Sequence, residues 1–214
     1  MLLIFGELSK SLSYENLLMT NSLVAISTNI TFVPDRNEYR DTLDHRLVDW
    51  VQSLGLVPYL VPNGIQNVEN LMELLAPALI ILSGGNDFGA YELRDKTEFN
   101  LLTYASSNDL PVLGICRGMQ VMGKWSGSDL QPVTNHAGCS HSVSGKLKRT
   151  VNSYHKLAIA STPQDFNILA ISDHDGAIEA IQHRNLPWEG WMWHPEREQV
   201  FNEDDRQRVH KLLK

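Results

Sequence analysis

Two hydrophobic rhythms alternate along the first half of the chain. Short, nearly uninterrupted apolar runs at residues 23–27, 57–61, 78–82 and 112–115 are bounded by Gly, Pro, Asn or Ser, as expected of buried strands. Between them the apolar spacing follows the helical repeat. Leu43, Leu47, Trp50, Val51 and Leu54 predict a helix over about 39–54 that stops at Gly55, and residues 68–75 and about 96–107 predict two more. From Gln131 onward the pattern turns strand-rich, with runs at about 142–147, 168–172, 178–182 and 190–193, before a closing helix over 204–213. Strands alternating with helices point to an α/β fold with a mixed, mostly parallel sheet flanked by helices. The chain shows no linker, repeat or low-complexity stretch, so residues 19–214 read as one domain. Residues 1–18 read as an N-terminal extension. Met19 is a plausible alternative start, and the segment lacks the basic and apolar regions of a signal peptide.

Composition narrows the classes. With 214 residues, 43% hydrophobic and 20% charged, the chain resembles an ordinary globular protein. A net charge of −7 and no Lys/Arg cluster argue against a nucleic-acid surface. No apolar run approaches the roughly 20 residues of a membrane span. Two cysteines make no disulfide framework, so a reducing cytoplasm is expected, with thiols free for chemistry.

Three segments carry candidate chemistry. Gly114-Ile115-Cys116-Arg117-Gly118 follows an apolar strand and opens a helix, the layout of a nucleophile on a sharp turn, and the helix start is expected to lower the thiol pKa. His194-Pro195-Glu196 offers a base with a carboxylate two residues on to orient it. Ser83-Gly84-Gly85-Asn86-Asp87 ends a strand with the glycine pair that backbone N–H donors need in order to face a site. Read alone, each also admits a plain role, as a buried cysteine, a surface turn or a Gly-rich turn.

Taken in order with Val151-Asn152-Ser153-Tyr154-His155, these motifs resemble the class I glutamine amidotransferases, which have a flavodoxin-like fold. Within them the versions here resemble the stand-alone γ-glutamyl-γ-aminobutyrate hydrolases. The resemblance implies a cysteine hydrolase acting through a γ-glutamyl thioester, with Cys116, His194 and Glu196 catalytic and the N–H groups of Gly85 and Arg117 forming the oxyanion hole. It further implies that Gly84, Asn86, Gln120, Ser153, Tyr154 and His155 bind the γ-glutamyl group. Residues 37–46 resemble the opening of a subgroup associated with bacterial surface polysaccharides, one of whose activities is hydrolysis of γ-glutamyl-CDP-amidate. Arg40 and Arg46 would then contact leaving-group phosphate, against a plainer reading as solvated helix charges.

The expected partner is a small-molecule γ-glutamyl substrate, with neither nucleic acid nor membrane, and with room for a homodimer. Two rivals stand beside the hydrolase: the glutaminase subunit of a two-protein amidotransferase, which would have a synthetase partner, and a non-catalytic binding module. His136, Cys139 and His141 have ligand chemistry suited to zinc, but no second ligand cluster completes a four-ligand site. Neither a metal nor a cofactor is expected.

Overall fold

The computed structural model describes residues 22–214, so the expected extension at 1–18 lies outside the described residues. The short apolar runs become β1 (Leu23–Ser27), β4 (Val57–Val61), β5 (Leu79–Leu82) and β6 (Val112–Ile115). β5 and β6 are buried along their whole length, as strands covered on both faces must be. Helices α1 (His45–Ser53), α2 (Val68–Leu75), α3 (Glu92–Ser107) and α4 (Arg117–Trp125) connect this part of the chain, and α5 (Glu203–Leu212) closes it.

The central sheet has nine strands in the order β4-β1-β5-β6-β13-β12-β11-β8-β9. The block from β4 to β13 (Trp188–Trp191) is parallel. Beyond it β12 (Ile178–His183), β11 (Phe166–Ser172), β8 (Ala137–Gly145) and β9 (Arg149–Tyr154) continue antiparallel. The mixed α/β sheet flanked by helices is therefore as expected. Leu82 pairs with Gly114 and Trp191 with Ile115. The segments following β5, β6 and β13 thus leave the sheet side by side, at the carboxyl edge where α/β folds build sites.

The structure departs from the sequence reading at residues 39–44. Glu38–Thr42 is a strand, β3, paired antiparallel with β2 (Asn29–Val33), and the helix begins only at His45. The Asp44 carboxylate accepts the Arg46 N–H and caps α1, so the helical spacing of Leu43 misleads. Helix α3 starts a turn earlier than expected, because its first turns bury Arg94, Thr97 and Glu98 and so carry no apolar stripe. In the second half β8 begins at Ala137 and β13 ends at Trp191. The short β7 (Leu130–Pro132) and β10 (Leu157–Ile159) pair separately. No helix of the described residues is long and apolar enough to cross a membrane.

Candidate active site

Cys116 occupies the junction of β6 and α4 with φ 52° and ψ −105°, a conformation an L-residue adopts only when its surroundings enforce it. Its N–H donates to Trp191 O at 2.6 Å, which ties the turn to β13. The flanking glycines are needed for space. A Cβ on Gly118 would lie 2.0 Å from Leu82 O, and one on Gly114 would lie 2.7 Å from the backbone of Gly118 and Met119. The G-x-C-x-G spacing therefore follows from close packing of the turn.

Burial pushes the Cys116 thiol up to about 12, although the Arg117 N–H directed at the sulfur works against it. The expected lowering by the helix start is overturned: with 7% of the residue exposed, the cost of a charge out of water exceeds the help from one N–H. The resting group is a neutral thiol.

His194 and Glu196 flank Pro195 after β13, both buried, with His194 Nδ1 2.6 Å from Glu196 Oε1. A carboxylate only accepts, so Nδ1 carries the proton, and in the neutral ring Nε2 is the nitrogen with the lone pair. Asn152 of β9 fixes the histidine backbone, accepting from His194 N at 2.9 Å and donating to His194 O at 2.8 Å. The Tyr154 ring meets the imidazole edge-on at 5.6 Å. The ring also closes on Gly84, where an added Cβ would sit 2.7 Å from its Cε1.

The Gly84-Gly85 segment is held from beneath by Arg94. This buried guanidinium donates to Ser83 O at 2.9 Å and Gly84 O at 3.0 Å, and also to the side chains of Asn29 and Asn86. The two carbonyls are thereby engaged, while the Gly85 N–H makes no hydrogen bond among the described residues. Glu98 pairs with both Arg94 and Arg117. Burial draws the two guanidiniums down, to about 10 and about 9, which leaves both charged at neutral pH.

The other predicted positions divide. Tyr154 is half exposed beside His194, and Gln120 is buried with its amide donating to Leu157 O at 2.8 Å. Asn86 spends its side chain on Ile30 N, Ile30 O and Arg94, so it shapes the loop. Ser153 Oγ donates to His136 O, and the His155 ring is turned inward toward Glu179. Arg40 lies on β3, paired with Glu38. Arg46, on α1, is bound to Asp44, and its charge acts on Glu196 and Tyr154. Cys139 is separated from the neighbouring histidines, its thiol directed at Asn135 O.

Sequence reasoning missed Arg94, Asn152 and Arg197. The Arg197 guanidinium stacks over Tyr154 at 4.4 Å and favours the Cys116 thiolate, and its position directly after His-Pro-Glu was a usable signal.

Similarity to known proteins agrees with this geometry. A γ-glutamyl-CDP-amidate hydrolase of Campylobacter jejuni is 36% identical over 129 residues, which cover 58% of this chain and 64% of that protein. Component 2 of anthranilate synthase from Thermococcus kodakarensis is 29% identical over 82% of this chain and 92% of its own length. A solved glutamine amidotransferase from Thermotoga maritima shares the fold with a TM-score of 0.62 at 18% identity, over 82% of this chain and 76% of that one. The sequence model of the class-I glutamine amidotransferases matches residues 37–205, so the chain belongs to that family.

Proposed function

We propose that the protein hydrolyses a γ-glutamyl amide through a thioester on Cys116. The observation that carries this reading is the His194–Glu196 pair, held against Gly84 beside the strained Cys116 turn. As the sulfur bonds to the amide carbon, His194 Nε2 takes the thiol proton. Glu196 stays ionised and stabilises the imidazolium. The N–H groups of Gly85 and Arg117 receive the oxyanion. His194 then returns the proton to the departing nitrogen as the C–N bond breaks. Water next attacks the thioester while giving a proton to His194, and breaking the C–S bond releases glutamate and restores the thiol. A resting neutral thiol suits this sequence, since the proton moves only when the electrophile is in place. Gln120 and the backbone of Ser153, Tyr154 and His155 would hold the α-groups of the glutamyl unit.

For the leaving group we favour a nucleotide-linked amidate. Arg46 lies close enough for its charge to act on Tyr154 and Glu196, and Arg197 covers the same tyrosine, so two cations flank the site. The hydrolase relative from Campylobacter jejuni supports the same class. Glutamate release should be measured on glutamine, simple γ-glutamyl amides and γ-glutamyl-CDP-amidate. Cys116→Ala should be inactive on all. Arg46→Ala should lower kcat/KM for the nucleotide-linked compound roughly 10-fold or more, as for loss of a charged hydrogen bond, and spare glutamine. Equal effects on both substrates would refute the phosphate contact.

A second reading, the glutaminase subunit of a two-protein amidotransferase, is favoured by the near-full-length match to anthranilate synthase component 2. It requires that ammonia release from glutamine rise when a synthetase is added, whereas the hydrolase reading requires full turnover by this chain alone.

A further inference from the structure

Next to β9, which supports His194 through Asn152, lies a cluster whose side chains have no part in the mechanism above. His136 precedes β8, His141 lies within it, His155 follows β9, and Glu179 belongs to β12. His136, His155 and Glu179 have 1%, 4% and 0% of their surface exposed. All three rings converge on one carboxylate oxygen: Glu179 Oε1 is 3.2 Å from His136 Nδ1, 3.3 Å from His155 Nε2 and 3.4 Å from His141 Nε2. The ring centroids of His136 lie 4.7 Å from those of both His141 and His155. Despite these distances none of the three nitrogens nor either Glu179 oxygen makes an aligned hydrogen bond, so five buried polar atoms are orphaned at one point.

The outer partners fix what those atoms are. His155 Nδ1 faces Leu157 O at 3.1 Å, and His136 Nε2 faces Asp175 Oδ2 at 3.0 Å. A carbonyl and a carboxylate can only accept, so in the neutral rings these outer nitrogens carry the protons. The inner nitrogens of these two rings then aim lone pairs at an anionic oxygen. That arrangement is repulsive unless the rings are charged or a cation stands between them. Buried imidazoliums around one carboxylate would each need desolvation, whereas one divalent ion satisfies the inner atoms of His136, His155 and Glu179 together.

The distances of the His136 and His155 nitrogens from Glu179 match such an ion. Four ligands at about 2.0–2.1 Å from a tetrahedral Zn²⁺ stand about 3.3 Å apart. We propose that His136, His155 and Glu179, whose ligand atoms all lie within 4.8 Å of one another, hold a Zn²⁺ ion, with water completing the tetrahedron and His141 beside Glu179. All three ligands are buried and none belongs to the Cys116–His194–Glu196 set, so the role assigned to the ion is structural. The ion would pin the segment before β8, the segment after β9 and β12 together. It would thereby brace Asn152, which holds the His194 backbone.

The test uses the full chain, stripped with a chelator and titrated with Co²⁺ and Zn²⁺. One equivalent of Co²⁺ should bind with the intense visible bands of tetrahedral coordination, show no near-ultraviolet band from thiolate, and be displaced by Zn²⁺. Zn²⁺ should also raise the Tm. His155→Gln and Glu179→Gln, checked for folding by circular dichroism, should lose these bands. Asp175→Asn, which leaves every ligand in place, should bind about 10–100-fold more weakly and provides the readout if the ligand variants fail to fold. Absence of uptake by the stripped wild-type chain, unchanged binding in these variants, or a thiolate band implicating Cys139 would each overturn the proposal.

Discussion

At Cys116 the fold sets two demands against each other. The turn that aims the sulfur also buries it, and burial disfavours the thiolate more strongly than the Arg117 N–H supports it. Each pH unit below the pKa costs a factor of ten in thiolate. With the group at about 12, only about one part in 10⁴ is ionised at pH 8. A non-specific alkylating agent should therefore modify half-buried Cys139 first, and Cys116 should react faster with each step of pH up to at least 10. A diazoketone analogue of glutamine, which brings its own γ-carbonyl to the site, should reverse that order. Peptide mapping across pH reads both. A Cys116 alkylation rate that levels off near pH 7–8 would show a preformed thiolate–imidazolium pair instead. Residue identity was legible here because glycine is the only residue that fits at 114 and 118. The direction of the pKa shift was not, because it depends on burial by segments far away in sequence.

Among the elements, the segment after β5 and the segment after β13 face each other across very little space. Gly84 has no positive φ, so an alanine there meets no backbone strain; its methyl would instead lie 2.7 Å from His194 Cε1. Gly84→Ala should keep a Tm close to wild type while turnover falls about 10²-fold, since a displacement near 1 Å suffices for such a loss. A circular dichroism melt beside single-turnover kinetics separates the two effects. Unchanged turnover would mean that the imidazole does not act from this position. How far each element could be read from sequence follows its burial. Helix α2 was legible to the residue because Val68 and Met72 form a plain apolar stripe. Strand β3 was not, because four of its five residues are exposed and its partner β2 has only one buried residue. Asn152 looked like one residue of a motif, yet its partner is the backbone of a histidine 42 positions away.

Across the whole molecule, charges buried between distant segments close the structure. Arg149 reaches Asp205, and α5 returns Arg208 to Glu189 in the central strand β13. Glu189 is 2% exposed and also accepts from Trp191 Nε1 at 3.0 Å and Gln182 Nε2 at 3.3 Å, so Arg208 is its only cationic partner among the described residues. No periodicity in sequence could reveal that pairing, since Arg208 sits on a polar helix that looks solvated from sequence alone. Arg208→Ala would strand a carboxylate in the sheet with neutral donors only. Breaking a buried pair in this way costs about 3–5 kcal/mol. The low end applies here because Arg208 keeps 24% of its side-chain surface in water. For a domain of this size such a loss lowers Tm on the order of 10 °C. Adding Glu189→Gln should recover most of it, because the amide oxygen still accepts from Trp191 while the uncompensated charge is gone. Chemical denaturation of the wild type, both single variants and the double variant yields the coupling directly. If Arg208→Ala lies within about 0.5 kcal/mol of wild type, water reaches Glu189, and the C-terminal helix is not held to the sheet by this charge.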